Sequence, residues 1–192
     1  MRGTLKIEFL FCLIATFVSG FFIFGACEVR AANVSSGADG NWSSPSTWAS
    51  TVRTGTITYV IDSPEIVGTG TAFLTELAVG GIITSASGRG NISVVVASIT
   101  DDTHLTVTTN AGLTSSGAKS FSSRNVPTAS DDVTIANGDA VVVDTDVSCA
   151  SLKFPTGNSA SSSLDINAGT LTVSGTVTIP RAASPAFNIM SV

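Results

Sequence analysis

Three close pairs of aspartates are the side chains in this sequence best suited to acid–base chemistry. They are Asp101 and Asp102, Asp131 and Asp132, and Asp144 and Asp146. Hydrolysis of a glycosidic bond needs two carboxyl groups that face the sugar across a cleft. Neighbouring residues of a strand point to opposite faces, so the adjacent pairs Asp101/Asp102 and Asp131/Asp132 do not meet that need. Aspartate also ends turns by accepting hydrogen bonds from backbone N–H groups, and we expect this structural role for each pair.

Calcium binding is a second chemistry open to these acids. Ca²⁺ takes six to eight oxygen ligands from carboxylates, amides and backbone carbonyls. Asp131, Asp132, Asn137 and Asp139 lie close together in the sequence and could supply several of them. The glycine-rich nonapeptide of calcium-binding β-rolls is absent. These four residues are therefore the calcium candidates, and we expect no other cofactor.

Histidine and thiol chemistry have few candidate residues. His104 is the only histidine, and it follows a turn-forming run, so we expect it at an exposed strand end. Cys12 and Cys27 lie in the apolar N-terminal segment, and Cys149 lies at an inward strand position. That position favours a small buried side chain over a reactive thiol. The sequence thus indicates no catalytic residue and favours a non-catalytic chain.

Trp42 and Trp48 are the only tryptophans of the chain, and they fall within the run Gly40-Asn-Trp-Ser-Ser-Pro-Ser-Thr-Trp48. Two interpretations are open. The rings could stack against the sugars of a glycan, which makes both residues glycan-stacking candidates. Alternatively, they could cover the end of a coil of strands, where the first turn would otherwise expose its apolar interior.

Short apolar triplets recur from Asp131 to Ile189 and must position most of these side chains. Each triplet tends to place two apolar residues around a small or polar one, which predicts a strand with one buried face. Turn-forming residues separate the triplets. The triplets begin at Val133, Val141, Val147, Leu152, Leu164, Leu171, Val177 and Phe187.

The triplets fall into three series with a spacing of 19 to 25 residues, which fits one turn of a β-solenoid. The predicted series are Val133, Leu152 and Val177, then Val141, Leu164 and Phe187, and finally Val147 and Leu171. About two and a half to three turns fit before Val192. No polar cap follows the last triplet, so we expect the natural protein to continue or this chain to be a fragment.

The quoted motifs resemble the opening of bacterial secreted right-handed β-helix surface proteins, in particular the eight-glycine type of domain. The motifs that carry this resemblance are Gly40 to Trp48, Pro127-Thr128, Asp131 to Ile135, Asn137 to Asp139 and Val141 to Asp144. The resemblance implies a solenoid fold and an extracellular role in adhesion, glycan binding or polysaccharide processing. In such proteins the Pro-Thr segment soon follows the second tryptophan, whereas here residues 53–125 intervene.

Residues 53–125 therefore look like an inserted module. Strand-forming runs at 93–99 and 104–108 flank a turn at Thr100-Asp-Asp-Thr103, which predicts a hairpin. The series from Gly68 to Thr108 resembles a small all-β module of phage tail and bacterial surface proteins. We expect a compact barrel or sandwich of five to seven strands.

Residues 1–32 have the pattern of an export signal. Arg2 and Lys6 precede an apolar stretch, and Val29-Arg-Ala31 offers small residues for cleavage after Ala31 or one residue later. The stretch is also long enough for a retained membrane anchor. Phe24-Gly-Ala-Cys27 resembles a bacterial lipoprotein processing site, although Phe24 replaces the usual leucine. We expect an exported protein at the cell surface or secreted, which touches a membrane only through this segment.

Charge excludes nucleic acid as an expected partner. Removing the first 32 residues takes away three of the nine basic and two of the fourteen acidic side chains, which leaves six against twelve. Phosphate binding needs a basic patch, and none is visible. An extracellular glycan or cell-surface component is the partner that we expect instead.

The combined prediction is an all-β protein in four parts. A signal (1–32) precedes a solenoid cap (33–52), an inserted barrel-like module (53–125) and a short right-handed parallel β-solenoid (126–192). The first functional hypothesis is a non-catalytic structural or adhesive surface module with a glycan-binding variant. The second is the N-terminal scaffold of a carbohydrate-active β-helix enzyme whose active site lies beyond residue 192. The third is a phage tail fibre or spike component.

Overall fold

The computed structural model describes residues 32–86, 90–115, 117–154 and 162–179. Predictions that concern residues 1–31, including the signal segment, Cys12 and Cys27, lie outside the described residues. The triplet predicted at Phe187 also lies outside them. The described parts of the chain contain no helix long and apolar enough to cross a membrane.

Short strands dominate the described chain, which is rich in the strand formers Val and Thr. The first nine strands are β1 (Asn33–Ser35), β2 (Gly40–Asn41), β3 (Thr51–Val52), β4 (Thr56–Tyr59), β5 (Glu65–Thr69), β6 (Ile82–Ala86), β7 (Asn91–Ile99), β8 (His104–Val107) and β9 (Phe121–Arg124). The remaining strands are β10 (Asp132–Thr134), β11 (Ala140–Val143), β12 (Val147–Cys149), β13 (Ser151–Lys153), β14 (Ser163–Ile166), β15 (Leu171–Val173) and β16 (Val177–Thr178). The described helices are a 3-10 helix at Pro45–Thr47 and α1 at Phe73–Glu76.

Three parallel sheets contain the triplets. Their orders are β1-β10-β13-β16, β14-β11-β2 and β12-β15. Val133 pairs with Leu152, and Leu152 pairs with Val177. Val141 pairs with Leu164, and Val147 pairs with Leu171. These pairs are the ones that the triplet spacing predicts, so the register prediction is confirmed for the described strands.

Residues 33–41 provide the first strand of two of these sheets. Val34 of β1 pairs with Val133, and Gly40 of β2 pairs with Val141, although about a hundred residues separate the partners. Residues 33–41 therefore lie beside strands that the chain forms only after the segment 53–125. The segment with Trp42 and Trp48 follows β2, so it lies at one edge of the parallel sheets.

The parallel strands enclose one hydrophobic cluster. Its members come from alternate positions of the strands, because only every second side chain of a strand faces the same side. The buried members are Trp42, Trp48, Val133, Ile135, Val141, Val143, Cys149, Leu152, Phe154 and Leu164.

Strands β3 to β9 form a separate antiparallel sheet with the order β3-β9-β6-β7-β8-β5-β4. The predicted hairpin is confirmed, since β7 pairs with β8 across the turn at residues 100–103. Strands β4 to β9 lie within residues 53–125, and their six strands agree with the expected five to seven, whereas β3 (Thr51–Val52) lies just before this segment. The sheet is not closed, because its edge strands β3 and β4 are not paired with each other. The backbones of Ile57 and Lys119 exchange two hydrogen bonds, which cover part of the β4 edge.

A second hydrophobic cluster fills the interior of the antiparallel sheet. Ile57, Ile66, Phe73 and Ile83 are among its fully buried members, and Phe73 meets Phe121 edge to face at 5.9 Å between ring centroids. Phe73 reaches this interior from α1, an element that strand periodicity does not predict. The all-β class is confirmed, with a small helical content.

Candidate functional site

The chain passes through the parallel sheets more than once, and we call the strands of one pass a layer. Acidic side chains join one layer to the next. The Asp39 carboxylate accepts a 2.7 Å hydrogen bond from the Ala140 backbone N–H. The Asp139 carboxylate accepts a 2.6 Å bond from the Ser36 hydroxyl, whose oxygen accepts the Ala136 N–H. These contacts link the segment before β2 to the segment before β11. Charge-assisted bonds of this kind are about twice as strong as neutral ones.

The predicted pair Asp144 and Asp146 has the same linking role. Asp144 accepts the backbone N–H and hydroxyl of Ser43 in the preceding layer. These bonds lower the pKa of Asp144, with the Ser43 hydroxyl as the largest cause. Asp146 accepts a 2.8 Å bond from the Thr170 N–H in the following layer. Asp144 therefore joins its layer to the preceding one, and Asp146 joins the same layer to the following one. Both contacts agree with the structural role expected for these residues.

Asp131 and Asp132 point to opposite sides, as neighbours at a strand must. Asp131 has no exposed surface. Its carboxylate accepts the Ala32 N–H at 2.8 Å, the Thr128 N–H at 2.7 Å and the Thr128 hydroxyl at 2.9 Å. Asp132 is exposed and accepts the Ser151 hydroxyl at 2.5 Å. These separate partners leave no shared cleft between the two carboxyl groups.

The four calcium candidates are not brought together as one ligand set. Asp131, Asp132 and Asp139 each hold a different partner, and Asn137 lies exposed in the turn before β11. Across the described ranges, no three His, Cys, Asp or Glu side chains are placed to hold a metal ion. The hydrogen bonds of Asp131, Asp132 and Asp139 instead join segments of neighbouring parallel strands.

The pair Asp101 and Asp102 forms the turn between β7 and β8. Asp101 accepts the Thr103 N–H at 2.7 Å and the Thr103 hydroxyl at 2.8 Å. These bonds lower the Asp101 pKa to about 2, and the Thr103 hydroxyl is the largest cause. Asp102 accepts the Leu74 N–H in the first turn of α1. His104 lies exposed at the start of β8, 3.1 Å from Asp101, so its predicted strand-end position is confirmed.

Trp42 and Trp48 lie inside the cluster of the parallel sheets. Neither ring has exposed surface. They meet edge to face at 5.0 Å between centroids and 73° between planes. Stacking against a sugar requires an accessible ring face, and this conformation provides none. Both rings lie in the buried cluster beside the edge strand β2. This position agrees with the alternative interpretation, in which they cover the apolar interior.

Cys149 is buried, as its inward position predicts. Burial, followed by the nearby charges of Asp132 and Asp131, raises the thiol pKa to about 11. A thiolate is the reactive form of cysteine, and a raised pKa keeps its population low at neutral pH. The side chain therefore acts as a small apolar group of the core.

An open depression of about 460 Å³ lies on the antiparallel sheet. Strands β3, β9, β6 and β7 contribute to its lining, which includes Val52, Thr84, Asn91, Ser93, Phe121 and Ser122. Among the residues that the structure describes, all those lining this depression are uncharged. We refer to it below as the hydroxyl groove.

A row of hydroxyl groups crosses the hydroxyl groove. Thr84 on β6 pairs with Ser93 on β7 and with Ser122 on β9. The Thr84 and Ser122 oxygens are 2.8 Å apart, and Ser50 donates to Ser122 at 2.9 Å. Val52 lies beside this row and is 78% exposed. The surface thus combines hydrogen-bonding groups with exposed aliphatic area, which suits an uncharged ligand rich in hydroxyl groups.

Sequence reasoning did not single out the groove residues. Their alternation within each strand was visible, but the groove arises from strands that are distant in the sequence. No family model, curated protein or solved structure matches this chain. The functional proposal therefore depends on the geometry and on the motif resemblance described above.

Proposed function

We propose that this chain is a non-catalytic, exported structural or adhesive module of a bacterial surface. In this proposal the three parallel sheets are the faces of a short right-handed β-solenoid. The segment 33–52 is its N-terminal cap, and residues 53–125 are an inserted module. This module carries the hydroxyl groove together with Val52 at the end of the cap segment. The resemblance of the Trp42, Asp131 and Val141 motifs to secreted β-helix surface proteins supports this arrangement.

The observation that carries the proposal is the use of acids as links between strand layers. Asp39, Asp139, Asp144 and Asp146 each accept hydrogen bonds from a neighbouring layer. A catalytic carboxylate must instead face a substrate and exchange protons with it. Side chains committed to linkage favour a scaffold that presents a surface to a partner.

The partner surface in this proposal is the hydroxyl groove, and its ligand is an uncharged glycan. Hydroxyl groups at the groove can exchange hydrogen bonds with sugar hydroxyls, while Val52 can contact the apolar face of a sugar ring. A strongly acidic glycan would find no counter-charge in the described lining. Contact through the groove leaves Trp42 and Trp48 in their packing role.

A glycan array with neutral and acidic glycans tests the proposal on the full chain. The double variant Thr84→Val/Ser93→Ala removes two hydroxyls from one cross-strand pair of the groove. Each lost hydrogen bond costs about 0.5–1.5 kcal/mol, so we expect neutral-glycan binding to weaken by about tenfold.

The double variant Thr106→Val/Ser98→Ala is the matched control. It removes one threonine and one serine hydroxyl from another cross-strand pair of the same sheet, which are 2.7 Å apart and outside the groove. We expect this control to bind as the unchanged chain does. Equal binding by both double variants would refute the groove assignment, and binding of acidic glycans alone would refute the ligand class.

A further inference from the structure

The buried Asp131 carboxylate lies beside the backbone nitrogen of Ala32. The Ala32 nitrogen is 2.8 Å from one carboxylate oxygen, and Thr128 occupies the other oxygen with its N–H and hydroxyl. The Ala32 carbonyl accepts the Asp132 N–H at 2.9 Å. Both backbone groups of Ala32 are therefore held at the edge of β10. An acid with no exposed surface is costly to bury unless it is paired with a cation or well hydrogen-bonded.

Ala32 is also the first residue after the predicted export cleavage site. A membrane-bound processing peptidase would hydrolyse the bond between Ala31 and Ala32 with one water molecule. The Ala31 carbonyl carbon gains the water oxygen and becomes a carboxylate. The Ala32 nitrogen keeps the bonding electrons, becomes an amine and takes up a proton at neutral pH, because an α-amino group has a pKa of about 7.7–8.0.

We infer that removal of the leader places the new α-ammonium group of Ala32 against the buried carboxylate of Asp131. Processing then converts a hydrogen bond from an uncharged amide donor into an ion pair that holds β1 on β10. This inference rests on the export that the proposed function includes. It assigns Asp131 a specific role as the internal partner of the mature N-terminus.

The ion pair is stronger than the amide contact that it replaces. The amide contact is charge-assisted only through its acceptor, whereas after processing the donor carries a charge as well and offers three N–H groups instead of one. Asp131 is already fully buried, so the desolvation of its carboxylate does not increase on processing. Only the ammonium group must lose water. The partly buried position of Ala32 limits that loss.

Neighbouring ionisable groups set the expected pH dependence. Asp131 and Asp132 are both acids, the Cys149 thiol has a pKa of about 11, and Lys153 lies exposed at the end of β13. The Asp131 carboxylate in contact with the Ala32 nitrogen favours the protonated amine, which raises its pKa in the folded protein. The added stability is therefore fully present below the unfolded value of about 7.7–8.0 and is lost as the pH rises through the raised value.

A two-by-two comparison of processing and charge tests the inference. The full chain is exported from a secreting bacterial host, and the same chain is also retained unprocessed in the cytoplasm. Both are compared with their Asp131→Asn variants in one detergent buffer. We expect the exported chain to begin at Ala32, and Asp131→Asn to lower its Tm by about 2–8 °C more than it lowers that of the unprocessed chain.

Asp132→Asn is the matched control. It changes the neighbouring acid, whose carboxylate accepts the Ser151 hydroxyl rather than the Ala32 nitrogen. We expect this variant to lower the Tm of both forms equally. An equal effect of Asp131→Asn on both forms would overturn the inference and leave export intact. An exported chain that begins at Cys27 or Asn33 would do the same, whereas a chain that is never exported would overturn the proposed export as well.

A second measurement needs no variant and covers the case in which Asp131→Asn does not fold. The α-amino pKa of the exported chain can be followed by NMR or by its rate of acylation. We expect a value above the ordinary 7.7–8.0 of a free N-terminus. A value at or below that range would show that the amine does not contact the carboxylate, and would overturn the inference.

Discussion

The indole N–H of Trp48 donates a 2.9 Å hydrogen bond to the backbone carbonyl of Trp42. Both residues are fully buried, so this bond satisfies a carbonyl oxygen that water cannot reach. The Trp42 indole N–H, in contrast, is buried without a hydrogen-bond partner in the described structure. The two rings therefore contribute similar apolar area to the same cluster but differ in one polar contact.

This difference gives a matched pair of substitutions. Trp48→Phe removes a donor and leaves the Trp42 carbonyl unsatisfied, whereas Trp42→Phe removes an N–H that has no partner. The two changes remove similar volume. We expect Trp48→Phe to lower the free energy of unfolding by about 1–3 kcal/mol more than Trp42→Phe, as measured by chemical denaturation. Equal losses would show that the hydrogen bond contributes nothing beyond packing.

The register of the parallel strands could be predicted because two independent signals agree. Alternation marks which residues of a triplet face inward, and the spacing of the triplets sets which ones pair. A shift of one residue would turn the buried side chains of Val133 and Leu152 to the opposite face, so the pairing is strongly specified. The sequence could not decide between the two roles of Trp42 and Trp48, since both roles allow the same motif.

Other features could not be predicted for physical reasons. The hydroxyl groove joins Val52, Thr84, Ser93 and Ser122, whose proximity depends on the antiparallel order β3-β9-β6-β7 and not on local pattern. Helix α1 is a single turn, which is too short to show helical periodicity. We expected a barrel or a sandwich for residues 53–125, and a closed barrel would require direct pairing of β3 with β4. Sequence patterns do not report on sheet closure.

Gly169 fixes the close approach of two strand layers. It adopts a φ of +87°, and a Cβ atom there would lie 2.2 Å from the Thr145 carbonyl carbon. We expect Gly169→Ala to be more destabilising than Gly117→Ala, because Gly117 also has a positive φ (+80°) but has open space around it. The conformational cost common to both is about 1–2 kcal/mol. Thermal unfolding of the two variants separates the steric cost from the conformational one.

Gly112 provides the baseline for this comparison. It has open space and no left-handed φ, so we expect Gly112→Ala to leave the Tm nearly unchanged. The expected order of stability is Gly112→Ala, then Gly117→Ala, then Gly169→Ala. A Gly169→Ala variant as stable as Gly117→Ala would contradict the close approach to Thr145.

Asp101 gives the protein a stability term that depends on acid pH. Its folded pKa of about 2 lies below the ordinary 3.8 because Thr103 donates to its carboxylate. A lowered pKa stabilises the fold fully above the ordinary value, and the stabilisation is lost as the pH falls from 3.8 towards 2. We expect the Tm difference between the unchanged chain and Asp101→Asn to shrink across this interval. A difference that stays constant from pH 5 to about pH 2 would contradict the assigned cause.

The buried thiol of Cys149 reports on opening of the parallel sheets. Its pKa of about 11 and its burial together predict negligible alkylation by iodoacetamide at pH 8 in the native state. Alkylation should instead follow transient opening and rise steeply with denaturant, because the unfolded thiol is both accessible and more acidic. Mass spectrometry of the Cys149 peptide measures the rate without interference from Cys12 or Cys27.

Leu152→Ala, which loosens the neighbouring strand of the same cluster, should accelerate labelling, whereas Ile83→Ala in the antiparallel sheet should have a smaller effect. Rapid labelling of the native protein would mean that the thiol is accessible and that burial does not govern its reactivity.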